Sequence, residues 1–179
     1  MADAFKLWRE EWIAALPEPL QKAVNKRPDP HITLMYGCNG SKDACMEGVR
    51  ALTESKEEQT IGLSDEVFVS PTHPVVFVPL CRCETILQWF TELFENETVN
   101  PLGSKSPMTL NTELATRTNP DATNPYGYVP HMTVAWFDKE QQAELLNLTK
   151  TDHRFVRATG VPSFSLTSDN IEWETLQEA

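Results

Sequence analysis

Two short segments of this chain repeat each other. Pro30-His31-Ile32-Thr33-Leu34-Met35-Tyr36 recurs as Pro130-His131-Met132-Thr133-Val134-Ala135-Trp136. Each reads Pro-His-apolar-Thr-apolar-apolar-aromatic, and the histidines lie 100 positions apart. Side chains alternate along a strand, so each copy is predicted to turn its His and Thr to one face and the apolar residue between them to the other. A core-facing strand has no evident need of that polar pair. Two such strands side by side would place two imidazoles and two hydroxyls in one cleft.

The rest of the pattern is built around these segments. Residues 5–26 read as helical, with Phe5, Leu7, Trp8, Trp12, Ile13 and Leu16 near helix spacing, split by Pro17 and Pro19. Residues 30–36 read as a strand ended by Gly37, and Asp43 as the N-cap of a helix running to about Ser55. Residues 59–69 offer one or two strands, and the continuous apolar run 75–80 suits a buried one. Residues 83–95 form an amphipathic helix carrying Ile86, Leu87, Phe90, Leu93 and Phe94. A strand at 108–114 and an exposed loop at 118–127 precede the second His strand. Residues 138–148 look helical, and short strands are expected at 155–158, 163–167 and 171–176. Strand–helix–strands thus occurs before Pro130 and again after it, a pseudo-twofold α+β order with antiparallel-leaning sheets. No linker divides the chain, so its 179 residues are read as a single domain, residues 1–179.

Charge narrows the partners. The formal net charge is −11, with no run of Lys or Arg. Binders of long nucleic acid usually carry a basic face. Small nucleotides enclosed in a pocket are therefore favoured over long strands. No apolar run approaches the ~20 residues of a membrane span, and the start, Met-Ala-Asp-Ala-Phe-Lys, lacks an apolar leader core. The expectation is a cytoplasmic monomer without a membrane partner. Cys38, Cys45, Cys81 and Cys83 lack zinc-finger spacing and read as reduced thiols. No metal site and no cofactor are expected.

A histidine pair is useful because imidazole titrates near neutrality. One neutral ring takes a proton from a nucleophile, and a protonated partner gives one to a leaving oxygen. Neighbouring hydroxyls donate hydrogen bonds to the non-bridging oxygens of a phosphate. Two copies of His-x-Thr supply all four groups, and the chain has no Gly-rich phosphate loop of the Walker type.

The paired Pro-His-x-Thr segments resemble the two signature motifs of the 2H phosphoesterase superfamily, which includes LigT-like RNA ligase/cyclic phosphodiesterases, 2′-5′ phosphodiesterases and phage enzymes that degrade cyclic oligonucleotide signals. The motif separation, the proline before each His and Tyr128 before the second motif are all similar to members of that family. The resemblance implies a bilobal α+β fold, helices outside, with each lobe giving one motif to a central cleft. It makes His31 and His131 the acid–base pair and Thr33 and Thr133 the phosphate holders. It implies a metal-independent phosphodiesterase cleaving P–O bonds of small nucleotides. Cyclic 2′,3′-phosphates rank first, signalling nucleotides (2′-5′ oligoadenylates or cyclic oligonucleotides) second, and RNA ends third.

Other residues carry weaker signals. Tyr126 and Tyr128 are the candidates for base stacking, and Arg117 for a second phosphate; Tyr36 and Trp136 read as packing residues. His73 and His153 read as solvated turn residues, and Arg82, Arg154 and Arg157 as surface cations. Residues 100–128 are a candidate lid. A nucleotide-binding module without turnover, and a scaffold using the acidic surface, stay open as alternatives, as do the substrate, the product regiochemistry and which histidine is the base.

Overall fold

In the computed structural model, residues 2–34, 41–52, 59–100, 111–149 and 155–166 are described. By internal contacts the chain divides into two compact units. The first comprises Met1–Thr33, Gly62–Arg82 and Val129–Phe164; the second comprises Leu34–Ile61, Cys83–Tyr128 and Ser165–Ala179.

The first unit opens with helix α1 (Ala2–Ala14), whose Phe5, Trp8 and Ile13 are buried. The prolines then act as expected. Pro17 caps the short α2 (Glu18–Lys22), and Pro19 sits in its first turn, where a missing N–H costs nothing. The expected helix ends there, because Val24–Lys26 forms strand β1 along the edge of β5 (His131–Phe137). Pairing with the sheet overrides local helix preference in this segment.

The sheet is antiparallel at every described pairing. Its centre is β4 (Val75–Cys81), the apolar run of the sequence. On one side β4 pairs with β5. On the other it pairs with β3 (Glu66–Val69) and, beyond a break at Ser64 and Asp65, with β2 (Gln59–Leu63). The segment 59–69 is thus one line of strand broken at 64–65, where the Ser64 hydroxyl accepts the Glu66 N–H at 3.1 Å. Strand β6 (Phe155–Arg157) lies beyond β3, and β7 (Phe164–Leu166) neighbours β2. The expected helix at 138–148 is a 3-10 turn (Lys139–Gln141) running into α6 (Gln142–Asn147). The α+β class with an antiparallel sheet stands as the sequence predicts.

One face of this sheet is hydrophobic throughout. Val76, Val78 and Leu80 of β4, Val67 and Val69 of β3 and Met132 and Val134 of β5 are almost wholly buried. The other face carries the half-buried His131, Thr133 and Phe77.

The second unit holds α3 (Lys42–Leu52), α4 (Glu84–Glu95) and α5 (Thr112–Thr118). Ser41, two residues before the expected Asp43, caps α3, its hydroxyl accepting the Ala44 N–H at 3.2 Å. Cys45, Leu93 and Val99 form a small core with Leu34 and Val49 packed on it. The strand expected at 108–114 is instead, from Thr112, helix α5, because the Asn111 side chain accepts the Leu114 N–H at 3.0 Å and nucleates a turn. The stretch 118–127 is a folded turn rather than a wholly exposed loop. Gly127 takes φ +66° there, where its lack of a Cβ lets it lie against the Thr112 backbone, and the Asn111 N–H reaches its carbonyl at 2.7 Å.

Several expectations need correction or fall outside these residues. His31, Ile32, Thr33 and Leu34 carry no strand where alternation predicts one; residues 35–40, with Tyr36, lie outside the described residues. Cys45 is disulfide-bonded, contrary to the reading of four reduced thiols, whereas Cys81 and Cys83 are not. No described helix is long and apolar enough to cross a membrane. His153, Arg154 and residues 171–176 lie outside the described residues.

Candidate active site

The two histidines are held by the same local bond. His31 Nδ1 lies 2.7 Å from the carbonyl oxygen of Asp29, and His131 Nδ1 lies 2.8 Å from that of Val129. In each case the ring reaches back two residues, across the proline. A carbonyl only accepts, so each Nδ1 carries the hydrogen. The neutral ring then has its lone pair on Nε2, and the protonated ring has a second N–H there. The proline explains why both copies do this. It fixes its own φ and keeps the preceding residue extended, which presets the same tripeptide twice.

The surroundings of the two rings differ. His131 begins β5, opposite Pro79 of β4, and its neighbour Pro130 offers its carbonyl to the Leu80 N–H at 2.8 Å. The Phe77 ring packs on the imidazole, centroid to centroid 4.3 Å, and Phe68 lies 4.8 Å beyond Phe77. This enclosure lowers the His131 pKa, first by desolvation and then by the nearby charge of His31, against a raising effect of the Val129 hydrogen bond that is smaller than the desolvation. His31 itself is exposed.

Thr133 stands two residues along β5 from His131, on the same face and opposite Phe77. After Thr133 the register slips. Val76 faces Ala135 and Phe77 faces Thr133, so Val134 is the extra residue of a β-bulge. The bulge reverses the parity of the rest of the strand. Trp136, opposite Val75, joins the face of His131 and Thr133, and it is half-buried like them. Thr33 is half-buried and lies two residues from His31 in irregular backbone.

Both His-x-Thr pairs belong to the first unit. That departs from the expectation of one motif from each lobe. The reason lies in the sheet: Pro130 and His131 are tied to β4, and the segment carrying His31 is tied to α1, both elements of the same unit.

The remaining candidates lie in the second unit. Tyr128 is 1% exposed, its ring stacked on Phe90 at 4.1 Å and 13°, and burial pushes its hydroxyl pKa upward. Its faces are used in packing, so it presents no platform to a ligand. Tyr126 is half-buried; its hydroxyl donates to Glu95 Oε1 at 2.7 Å and its ring lies 4.5 Å from that of Phe94. Arg117 is exposed in the last turn of α5. In the first unit, His73 accepts from or donates to the Thr72 hydroxyl at 2.9 Å in an exposed turn. Arg82 is exposed with φ 54°. Among the described residues, no three His, Cys, Asp or Glu side chains are grouped to hold a metal ion.

Sequence reasoning misses Phe77, because a ring inside an apolar run gives no sign of which face it takes. It also misses Lys6 and Arg9 of α1. They stand at helix i, i+3 spacing, which marks one face of the helix but not its partners.

The described residues thus carry two matched His-x-Thr segments on an antiparallel α+β framework. The family comparison agrees: residues 4–161 match the model of the 2′-5′ RNA ligase superfamily, and the chain belongs to that superfamily of LigT-like 2H phosphoesterases. The family is one of phosphoesterase- and ligase-type enzymes. No curated protein matches the chain.

Proposed function

We propose that the protein is a metal-independent phosphodiesterase that cleaves a P–O bond in a small nucleotide by histidine acid–base catalysis. The observation that carries this reading is the matched anchoring of His31 and His131 through Nδ1, which dedicates Nε2 of each ring to proton transfer. Burial lowers the pKa of His131 and favours its neutral form, which suits the base's part. The exposed His31 has the acid's part.

With a 2′,3′-cyclic phosphate, His131 Nε2 takes a proton from water as the water oxygen bonds to phosphorus. The P–O bond to one ribose oxygen breaks, and His31 Nε2–H gives its proton to that oxygen. The rings end with their protonation states exchanged and reset through solvent. Thr33 and Thr133 donate to the non-bridging oxygens, where charge builds in the transition state.

The −11 net charge favours small nucleotides over long strands. Cyclic 2′,3′-phosphates are the first candidates and 2′-5′ or cyclic oligonucleotides the second. Turnover of such a panel in EDTA, lost in the His31→Ala/His131→Ala double variant, is the expected result. A folded protein that raises its Tm with a nucleotide but forms no product overturns this reading in favour of a binding module.

A further inference from the structure

The second histidine is held by a β ladder, but the first is held by side chains of α1. Residues 27–33 form no described strand. Helix α1 presents Lys6, Arg9 and Glu10 to this segment at i, i+3 and i+4. Arg9 Nη1 donates to the carbonyl of Pro28 at 2.6 Å. Its Nε lies 3.4 Å from Glu10 Oε1, and the same oxygen lies 3.3 Å from Arg27 Nε. Arg9 is only 5% exposed. The next carbonyl along the chain, that of Asp29, accepts His31 Nδ1–H. The oxygen fixed by Arg9 and the oxygen that orients the ring therefore belong to successive residues.

A buried guanidinium costs desolvation unless its donors are used. The Pro28 carbonyl accepts from Nη1, and the Glu10 carboxylate stands at ion-pair distance from Nε, which itself makes no hydrogen bond; the buried guanidinium is thus fixed to the segment through Nη1. We infer that Arg9 is a positioning residue for His31: it fixes the Pro28–Asp29 peptide and so selects the Nδ1–H tautomer and the ring's direction. Only the effect on turnover rests on the phosphodiesterase reading. The effect on the ring does not.

The test is a nitrogen–proton NMR spectrum of the imidazoles above neutral pH, on wild type, Arg9→Met and Arg9→Lys. The wild type is expected to show the Nδ1–H form at His31 and at His131. Arg9→Met keeps the stem but removes the donor. It should move His31 toward a mixture of tautomers and leave His131 unchanged. Arg9→Lys keeps one donor and should recover part of the signal. Against the proposed substrates, kcat should fall on the order of 10- to 100-fold with KM little altered, because Arg9 acts through His31 and not on the substrate. An unchanged His31 signal in folded Arg9→Met, or an equal change at His131, overturns the inference. If Arg9→Met does not fold, Arg9→Lys decides it by the same spectrum. If the His31 signal moves as expected in a protein that turns over no nucleotide, the positioning role stands and the phosphodiesterase reading falls.

Discussion

The two copies of the motif reach one local result by different means. Around His131 the pattern is that of a strand: His131 and Thr133 half-exposed, Met132 between them buried, with the ladder to β4 alongside. Around His31 there is no described ladder, and Ile32, Thr33 and Leu34 are all half-buried. Yet Nδ1 meets the carbonyl two residues back at 2.7 Å in one copy and 2.8 Å in the other. Among the described residues, therefore, the two copies share the tripeptide around the proline and not a strand. The strand is one way to hold it, and a clamp from α1 is another.

If the shared bond is what matters, His31→Ala and His131→Ala should fail alike. Each is expected to lower turnover of the proposed substrate by ~10²–10⁴, the usual cost of removing an acid–base group. Equal losses would support the equivalence of the two copies. A loss confined to His131→Ala would break it, and would leave His31 as a bystander on the rim.

The next effect should separate the copies. Phe77 packs on His131 and on Phe68, and no ring contact of this kind is seen at His31 among the described residues. Phe77→Ala removes a half-buried ring from the sheet and should cost about 2 kcal/mol in urea unfolding. It also admits water to His131. The pKa of that ring should then rise toward its ordinary value, and the acid limb of kcat/KM should move with it. Phe77→Leu restores most of the volume and should restore most of the stability. An acid limb that stays in place would show that Phe77 is not what desolvates His131.

Titration gives the same contrast with a smaller amplitude. Folding lowers the pKa of His131, chiefly through desolvation. The folded chain therefore binds this proton less readily than the unfolded chain, whose histidines titrate near about 6.5. The stabilising contribution is present above that value and is lost as pH falls through the folded pKa. Unfolding free energy measured from pH 7.5 down to 5 should decline, and His131→Gln should decline less steeply. Parallel curves would remove His131 from the account.

These contrasts mark where sequence reading succeeds and stops. The apolar run at 75–80 and the amphipathic pattern at 83–95 each state their own fold, because burial of a whole strand or one helix face is written locally. The bulge at Val134 is not written there: it exists only in the register between β5 and β4, and it decides which face Trp136 takes. Tyr128 reads as available because turn residues precede it. Its stacking partner, Phe90, stands 38 positions away, on a helix whose inward face the sequence does reveal but whose neighbours it does not. The α1 clamp is hidden in the same way. Its residues are common surface types, and only their partners make them structural.

The smallest expected effect tests how much of that clamp is charge. Lys6 pairs with Asp29 at 2.9 Å, and this hydrogen bond, more than the Lys6 charge or the farther Arg9 and His31, lowers the carboxyl pKa. The two side chains are 41% and 92% exposed, so water and salt screen the attraction and the flexible lysine loses entropy when held. Arg9, by contrast, is buried and bonds the backbone itself. Lys6→Met should therefore shift the unfolding midpoint only slightly at pH 7. Because folding lowers the Asp29 pKa, that shift belongs to pH above the ordinary carboxylate range. It should vanish as pH falls through the folded value, and in high salt. The His31 imidazole spectrum should not change. A Lys6→Met effect as large as that of Arg9→Met, or one that survives high salt, would mean that the exposed pair and not the buried guanidinium holds the first motif in place.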